Sequence, residues 1–182
     1  CPGHLQQTCS AIVEVTGRCD LRCPVCFAAS GPAAGPDPAP ARLERLLRRT
    51  FALAGNCPLQ LSGGEPTLRD DLPLIVRRAR DIGFDHVQVN TNGLRLGRDA
   101  EFARALADAG VTSFFLQFDG VSDDVFRRLR GAPLLDLKLK ALERSRELGI
   151  GVILVPTLAR GVNDSRIGDL IRFAKAWIPV VK

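Results

Sequence analysis

The chain reads TGRCDLRCPVC at residues 16–26, directly after a short apolar run, AIVEV, at residues 11–15. Three cysteines, Cys19, Cys23 and Cys26, therefore share the spacing CxxxCxxC in a loop behind a predicted strand. A structural zinc site takes four protein ligands, and an iron–sulfur cluster held only by protein usually takes four cysteines. Three thiolates in one tight loop indicate a metal site with one coordination position left open for a substrate or cofactor.

The stretch SGGEP at residues 62–66 forms a second motif, again at the end of a predicted strand. Gly63 and Gly64 let the chain pass close to a ligand without an intervening side chain, and Glu65 offers a carboxylate to an ammonium group. A Gly-Gly pair alone is commonly just a tight turn. Its position behind the strand that follows CxxxCxxC favours the binding interpretation.

Together the two motifs resemble the core domain of the radical S-adenosylmethionine (radical SAM) enzyme superfamily. The resemblance implies a [4Fe–4S] cluster on the three cysteines, with S-adenosyl-L-methionine (SAM) chelated by the fourth iron. Its methionine amino group would be held by Gly63, Gly64 and Glu65. Reductive cleavage of SAM would give a 5′-deoxyadenosyl radical, which abstracts hydrogen from a substrate. Arg18 and Arg22 are expected to lower the pKa of the cysteine thiols.

The resemblance assigns four further residues to the SAM site: Asn92, Gln117, Asp119 and Arg130. Asn92 stands in an Asn-Gly pair, which is also a common turn. Gln117 occupies the place of a family serine that touches the ribose, and Asp119 either serves the site or caps the helix that starts near Ser122. Arg130 is the candidate for the methionine carboxylate, because a guanidinium binds a carboxylate through two bonds. No catalytic residue is assigned beyond the cluster ligands.

Short apolar runs alternate with amphipathic stretches along the chain, which predicts an α/β fold of repeated βα units on a parallel sheet. The predicted strands lie near residues 11–16, 58–62, 86–90, 113–119 and 150–157. The predicted helices lie near residues 39–54, 72–82, 99–109, 135–148 and 165–176. Periodicity leaves open a doubly wound sheet or a barrel. The resemblance implies a partial TIM-type barrel of about six βα units, at least five of them visible, with ligands at the carboxyl ends of the strands.

The proline-rich segment at residues 29–40 separates the cysteine loop from the first predicted helix. Prolines lack the N–H donors that helices and ladders need. We therefore expect a long exposed connection here, which either covers the site or acts as a plain spacer.

The first residues, CPGH at 1–4 with Cys9, resemble the latter half of a zinc-ribbon or rubredoxin-like knuckle. Alone they cannot close a four-ligand site. We expect residues 1–10 to be either the remnant of such a metal knuckle or a flexible stretch. Residues 11–182 form the core domain, which we expect to be truncated at its C-terminus because the last residues read as a strand just begun.

The composition suits one globular domain, with 182 residues of which 46% are hydrophobic and 25% charged. No apolar run reaches the roughly 18 residues that span a bilayer, and no signal peptide is recognisable, so we expect a cytoplasmic protein. Clustered cysteines favour metal binding in a reducing compartment over disulfides. The net charge of +5 comes mostly from arginines spread over predicted helix faces, which argues against nucleic acid as a partner.

The resemblance also implies partners: an electron donor such as ferredoxin or flavodoxin, and a substrate that is a small molecule, lipid or peptide. Residues 14–28 and the partial knuckle resemble, more weakly, the subgroup that includes the archaeal tetraether lipid synthase, which would imply attack on an unactivated C–H bond. Peptide maturation and methylation stay equally open. The alternative is a non-enzymatic zinc or iron–sulfur module in which the glycines are only turns and His4, Cys9 or Cys57 completes the site.

Overall fold

The structure, a computed structural model, describes residues 8–26 and 28–177. Within these ranges five strands form one sheet: β1 (Ala11–Thr16), β2 (Leu59–Gly63), β3 (Val87–Thr91), β4 (Ser113–Gln117) and β5 (Gly151–Val155). Each strand pairs in parallel with the next one along the chain. A doubly wound sheet would reverse its strand order at a switch point, so this unbroken order is that of a barrel wall. The five predicted strands are confirmed, with ends that agree within two residues.

Helices connect the strands: α1 (Pro40–Ala54), α2 (Leu72–Ile82), α3 (Leu94–Arg98), α4 (Ala100–Ala109), α5 (Asp123–Arg130), α6 (Leu135–Glu147) and α7 (Ile167–Trp177). The five predicted helices are confirmed as α1, α2, α4, α6 and α7, and α5 begins after Ser122 as expected. The structure adds α3. Periodicity misses this helix because five residues make less than two turns and cannot show a repeated apolar spacing.

The sheet has one apolar and one polar face, because neighbouring residues of a strand point to opposite sides. The apolar residues of β2, β3 and β4 pack under the helices and are almost fully buried: Leu59, Leu61, Val87, Val89, Phe114 and Leu116. The alternate residues of these strands point away from the helices: Gln60, Ser62, Gln88, Asn90, Ser113, Phe115 and Gln117. We call this second set the inner face. Such a sheet buries an apolar core on one side and leaves polar groups for a ligand on the other.

Several smaller expectations can be placed on this fold. Cys57 is buried in the core, where it packs as a small apolar residue. The proline-rich segment forms neither a helix nor a strand of its own before α1 begins. Cys1, His4 and the strand expected near residue 178 lie outside the described residues. None of the helices in the described part is long and apolar enough to cross a membrane.

Candidate functional site

A cavity of about 240 Å³ lies at the carboxyl ends of the strands. Nine of the ten predicted site residues line it: Cys19, Cys23, Cys26, Gly63, Gly64, Glu65, Asn92, Gln117 and Arg130. The tenth, Asp119, is bonded to Arg130. Parallel strands place their carboxyl ends on one edge of a sheet, so segments that are far apart in the sequence meet there.

The loop that carries the cysteines, residues 16–26, is held from one side by the Gly-Gly-Glu turn. The amide of Gly64 donates to the carbonyl of Thr16 at 2.8 Å, and the amide of Glu65 donates to the carbonyl of Arg18 at 2.7 Å. A Cβ on Gly64 would lie 2.2 Å from the Arg18 carbonyl oxygen. Gly63 has φ +124°, and a Cβ on Gly63 would likewise collide with the carbonyl oxygen of Thr16. The glycines are therefore required for the close approach of the cysteine loop itself, a reason that the sequence did not reveal.

The proline-rich connection holds the same loop from the other side. The carboxylate of Asp37 accepts hydrogen bonds from the Thr16 hydroxyl at 2.5 Å and from the Arg18 guanidinium at 2.5 and 3.2 Å. Arg69 is buried and donates to the carbonyls of Val15 and Pro38 at 2.9 and 3.0 Å. These bonds attach the proline-rich connection to β1. Neither of the two sequence-based interpretations, a cover over the site or a plain spacer, describes this role in full.

The three loop thiols are half-buried, and the pKa of one of them, Cys19, differs from the sequence-based expectation. Burial raises the pKa of Cys19 to about 11, and the nearby carboxylates of Glu65 and Asp20 act in the same direction. Arg18 is paired with Asp37. The expected lowering of the thiol pKa by Arg18 and Arg22 is therefore wrong for Cys19. A bound metal has to displace its proton, so that loading the site releases protons.

Glu65 is fully buried, with only 1% of its surface exposed. One carboxylate oxygen accepts from the amide and the hydroxyl of Thr67 at 3.0 and 2.6 Å and from the hydroxyl of Thr91 at 2.8 Å. The other accepts from the amide of Asn92 at 2.6 Å. Burial raises the pKa of Glu65, while these four donors oppose that shift. The carboxylate thus links the turn after β2 to the turn after β3, in addition to facing the cavity.

Asn92 has two contacts that bear on its two proposed roles. Its side-chain oxygen accepts from the amide of Leu94 at 2.9 Å, which forms the turn. Its side-chain nitrogen donates to Asp20, inside the cysteine loop, at 2.7 Å. The turn is therefore confirmed, and the same residue also joins β3 to the loop. A direct contact between Asn92 and SAM stays a prediction.

Asp119 and Arg130 form a buried ion pair beside the cavity. The guanidinium donates through two N–H groups to the Asp119 carboxylate at 2.7 and 2.8 Å, and also to the Thr157 hydroxyl at 2.8 Å. The amide of Thr157 and the side chain of Gln117 donate to the same carboxylate. The two-bond geometry expected for a methionine carboxylate is thus used on Asp119. A further bond from Arg130 to SAM stays a prediction.

Lys138 on α6 is a functional candidate that the sequence analysis missed. Its side chain is fully buried, and its ammonium donates to the carbonyls of Asn92 and Gln117 at 2.7 and 2.6 Å and to the Gln117 side-chain oxygen at 2.7 Å. Burial lowers the pKa of Lys138 to about 7. Its position three residues after Leu135 and four before Leu142, on the apolar stripe of the helix, was the signal that could have identified it.

The donor set can be tested against the implied metal group. Among residues 8–26 and 28–177, no three His, Cys, Asp or Glu side chains converge on a single ion. Cys57 is buried in the core and does not line the cavity, so it does not complete a zinc site. The three loop cysteines share one cavity wall, and thiolates are the ligands of iron–sulfur clusters. Three thiols that line one cavity fit the ligand set of an iron–sulfur cluster.

A wall of parallel βα units with three thiols over its strand ends defines an enzyme scaffold that carries a metal cluster. The sequence pattern described as the Radical SAM superfamily matches residues 13–174, and this protein belongs to that superfamily. Membership confirms the predicted cofactors, a [4Fe–4S] cluster and SAM, and supports an enzyme rather than a non-enzymatic metal module.

Similar proteins agree with this membership. The chain is 40% identical over 185 residues to the 7,8-dihydro-6-hydroxymethylpterin dimethyltransferase of Methanocaldococcus jannaschii, covering all of this chain and 36% of that protein. It is 33% identical over 162 residues to the probable GTP 3′,8-cyclase of Pyrococcus abyssi, covering 89% of this chain and 51% of that protein. The chain therefore spans between one third and about half of these relatives.

A solved structure supports the fold. Streptococcus suis SuiB bound to S-adenosylmethionine superposes with a TM-score of 0.76 over 92% of this chain and 38% of SuiB, at 19% sequence identity. At that identity the likeness concerns the fold alone. It confirms the partial barrel that the family resemblance implied.

Proposed function

We propose that this chain is the catalytic core of an enzyme that cleaves SAM reductively and uses the resulting 5′-deoxyadenosyl radical to abstract hydrogen from a substrate. The observation that carries the proposal is the convergence of the three cysteines with Gly63, Gly64 and Glu65 on one cavity. When bound, the cluster and SAM supply the electron transfer and the radical. The chain's own contribution is to hold and orient these groups.

The residues around the cavity have separate tasks in this proposal. The cysteine thiolates bind iron, and the Gly-Gly-Glu turn fixes the height of their loop over the strand ends. Glu65 accepts from the methionine ammonium group at the cavity, while Lys138 fixes the positions of Asn92 and Gln117. A scaffold held by so many internal bonds keeps the reacting groups in place without reorganisation during the reaction.

The substrate class follows from the relatives rather than from the site. The relative at 40% identity is named for a pterin, and the cyclase at 33% identity is named for GTP. Pterin and guanine share a 2-amino-4-oxopyrimidine ring. We place the substrate of this chain in that class, with a pterin favoured over GTP because that relative is more similar and matches the entire chain. The weaker resemblance to tetraether lipid synthase stays an untested prediction.

The remaining partners follow from the chemistry. A one-electron reduction of the cluster requires a donor of low potential, for which ferredoxin or flavodoxin is suited. Both the donor and the reduced cluster belong in a reducing compartment, so the cytoplasm is the proposed location. Nucleic acid is not among the proposed partners.

The test is electron paramagnetic resonance (EPR) of the full chain, reconstituted anaerobically with iron and sulfide and reduced with dithionite. We expect a [4Fe–4S] signal that changes when SAM is added, together with production of 5′-deoxyadenosine. Cys19→Ala, Cys23→Ala and Cys26→Ala should each abolish the cleavage. Cys57→Ala is the matched control and should retain it, because Cys57 is a core residue.

Two results would contradict the proposal. Cleavage of SAM by any of the three loop variants would show that these thiols do not hold the reactive cluster. Stoichiometric zinc with no binding of SAM would instead favour a metal module without enzymatic activity.

A further inference from the structure

The inner face of the sheet continues below the residues that the superfamily resemblance assigns. Ser62 on β2, Asn90 on β3 and Phe115 on β4 line the cavity. Asn90 and Phe115 are register partners on neighbouring strands. Asn92 stands two residues further along the chain, which places it roughly 7 Å closer to the cysteine loop. Asn90 and Phe115 thus form a deeper layer of the same cavity.

Asn90 has an acceptor that the described part of the chain does not use. Its side-chain nitrogen donates to the Ser62 hydroxyl at 3.2 Å and lies 3.4 Å from the Gln60 side-chain oxygen. Its side-chain oxygen is buried and, among the described residues, has no hydrogen-bond partner. Buried amide oxygens are almost always bonded, because a missing bond leaves their desolvation uncompensated. Because Asn90 lines the cavity, a rotation of its side chain would turn this unused acceptor toward an N–H group of a ligand.

Phe115 supplies an apolar surface next to that acceptor. It is half-buried, and none of the ring contacts within the described residues includes it. Its neighbour on β5, Ile153, is 42% exposed. An aromatic ring beside an amide acceptor matches a planar nitrogen heterocycle, which needs one face covered and its N–H groups paired.

We propose that Asn90 and Phe115 form the subsite for the substrate's heterocycle, with the Asn90 oxygen accepting a bond from the 2-amino group of a 2-amino-4-oxopyrimidine ring and Phe115 contacting the ring. This inference rests on the proposed function, since it names the residues that recognise the proposed substrate class. It concerns a layer separate from the cysteine loop and the Gly-Gly-Glu turn. It therefore makes its own prediction about binding.

The probe is 6-hydroxymethylpterin, whose fluorescence reports binding to the reconstituted full chain in the presence of SAM. A 4-oxopteridine with the same 6-substituent but without the 2-amino group is the matched ligand. Asn90→Leu should weaken pterin binding by about tenfold and remove the preference for pterin over the matched ligand, because one buried hydrogen bond is lost. Asn90→Asp keeps an acceptor at the same place and should retain the preference.

Two further variants separate this subsite from its surroundings. Gln88→Leu changes the same face of the same strand one layer further from the cavity, and it should bind pterin as the unchanged protein does. Phe115→Leu should weaken both ligands alike, because stacking does not depend on the amino group. The effect of SAM on the EPR signal should be preserved in Asn90→Leu.

The outcomes distinguish the inference from the function it rests on. If the unchanged protein shows no effect of SAM on its cluster signal, the proposed function fails whatever the pterin titration gives. If that effect is present but the unchanged protein does not bind pterin, or Asn90→Leu binds it equally well, the subsite is wrong and the proposed reductive cleavage of SAM stands. Loss of the SAM effect in Asn90→Leu would also overturn the inference, because Asn90 would then serve the cofactor.

Discussion

The two layers of the cavity differ in how their polar groups are satisfied. In the layer at the strand ends, Glu65, Asp119 and Lys138 each have three or more hydrogen bonds to the chain itself. In the layer beneath, Asn90 carries a buried side-chain oxygen without a partner among the described residues, and so does Ser113, one layer further from the cavity on the same face of the sheet. The difference indicates that the upper layer is a rigid support, while the layer below it offers hydrogen-bonding groups to a ligand.

The largest effect should come from breaking the support at its buried ion pair. Arg130→Met leaves the Asp119 carboxylate buried without its cation, which typically costs about 3–5 kcal/mol of unfolding free energy. Anaerobic denaturant titration measures this loss of unfolding free energy. Arg127→Met, an exposed change on the same helix, is the control. Equal stability of the two variants would show that the upper layer is not the support described here.

A smaller loss is expected where the Gly-Gly-Glu turn meets the cysteine loop. A Cβ on Gly64 has no space beside the Arg18 carbonyl, so Gly64→Ala should cost about 1–3 kcal/mol and reduce the iron and sulfide bound per chain. In Gly31→Ala the new Cβ meets nothing within 4 Å, and both quantities should stay unchanged. Normal cluster content in Gly64→Ala would show that the glycines are not needed to position the cysteine loop.

The buried Lys138 of the upper layer should make the stability of the protein depend on pH. Burial lowers its pKa to about 7 from 10.5, so between these values the unfolded chain binds a proton that the folded chain does not. Stability should therefore rise with pH in that window, by at most about 1.4 kcal/mol per pH unit. The unfolding free energy of the unchanged protein minus that of Lys138→Met should increase from pH 7 to pH 9. The same difference for Lys140→Met, on the exposed side of α6, should stay flat.

The smallest effect is expected below the strand ends. Ser113→Ala removes a hydroxyl that has no hydrogen-bond partner among residues 8–26 and 28–177, so unfolding free energy should change by less than about 1 kcal/mol, in either direction. Thr91→Val removes a hydroxyl that donates to Glu65 and accepts from Gly93, and it should cost more. A reversed order in thermal unfolding would contradict the distinction between the two layers.

Most of the fold was predictable because each βα unit has a local sequence pattern, an apolar run followed by an amphipathic stretch. Five apolar runs that alternate with amphipathic stretches predicted every described strand and five of the described helices, and the family resemblance implied the partial barrel. The convergence of Cys19, Asn92 and Gln117 was also predictable, since residues behind parallel strands share one edge. Such reasoning predicts which residues lie at the strand ends, but it does not predict which side chains they contact.

Other features of the site depend on tertiary contacts that no local pattern encodes. Lys138 was read as part of an ordinary helix, although its ammonium joins two strand ends. Arg130 was assigned to a ligand, whereas its two-bond geometry is used on Asp119. Arg18 was expected to act on the thiols, yet a residue of the proline-rich connection, Asp37, pairs with it. In each case the partner lies at least 11 residues away in the sequence, and the periodicity of a single helix or strand carries no information about it.

The contacts of the cysteine loop also set an order of assembly. Its carbonyls at Thr16 and Arg18 receive their hydrogen bonds from Gly64 and Glu65, which are synthesised later and belong to the next βα unit. The thiols can take up this arrangement only after β2 has docked beside β1. A zinc finger folds around its metal, whereas this loop is shaped by its neighbours. We therefore expect iron and sulfide to bind after β2 has paired with β1, so that cluster insertion is a late step in the maturation of the protein.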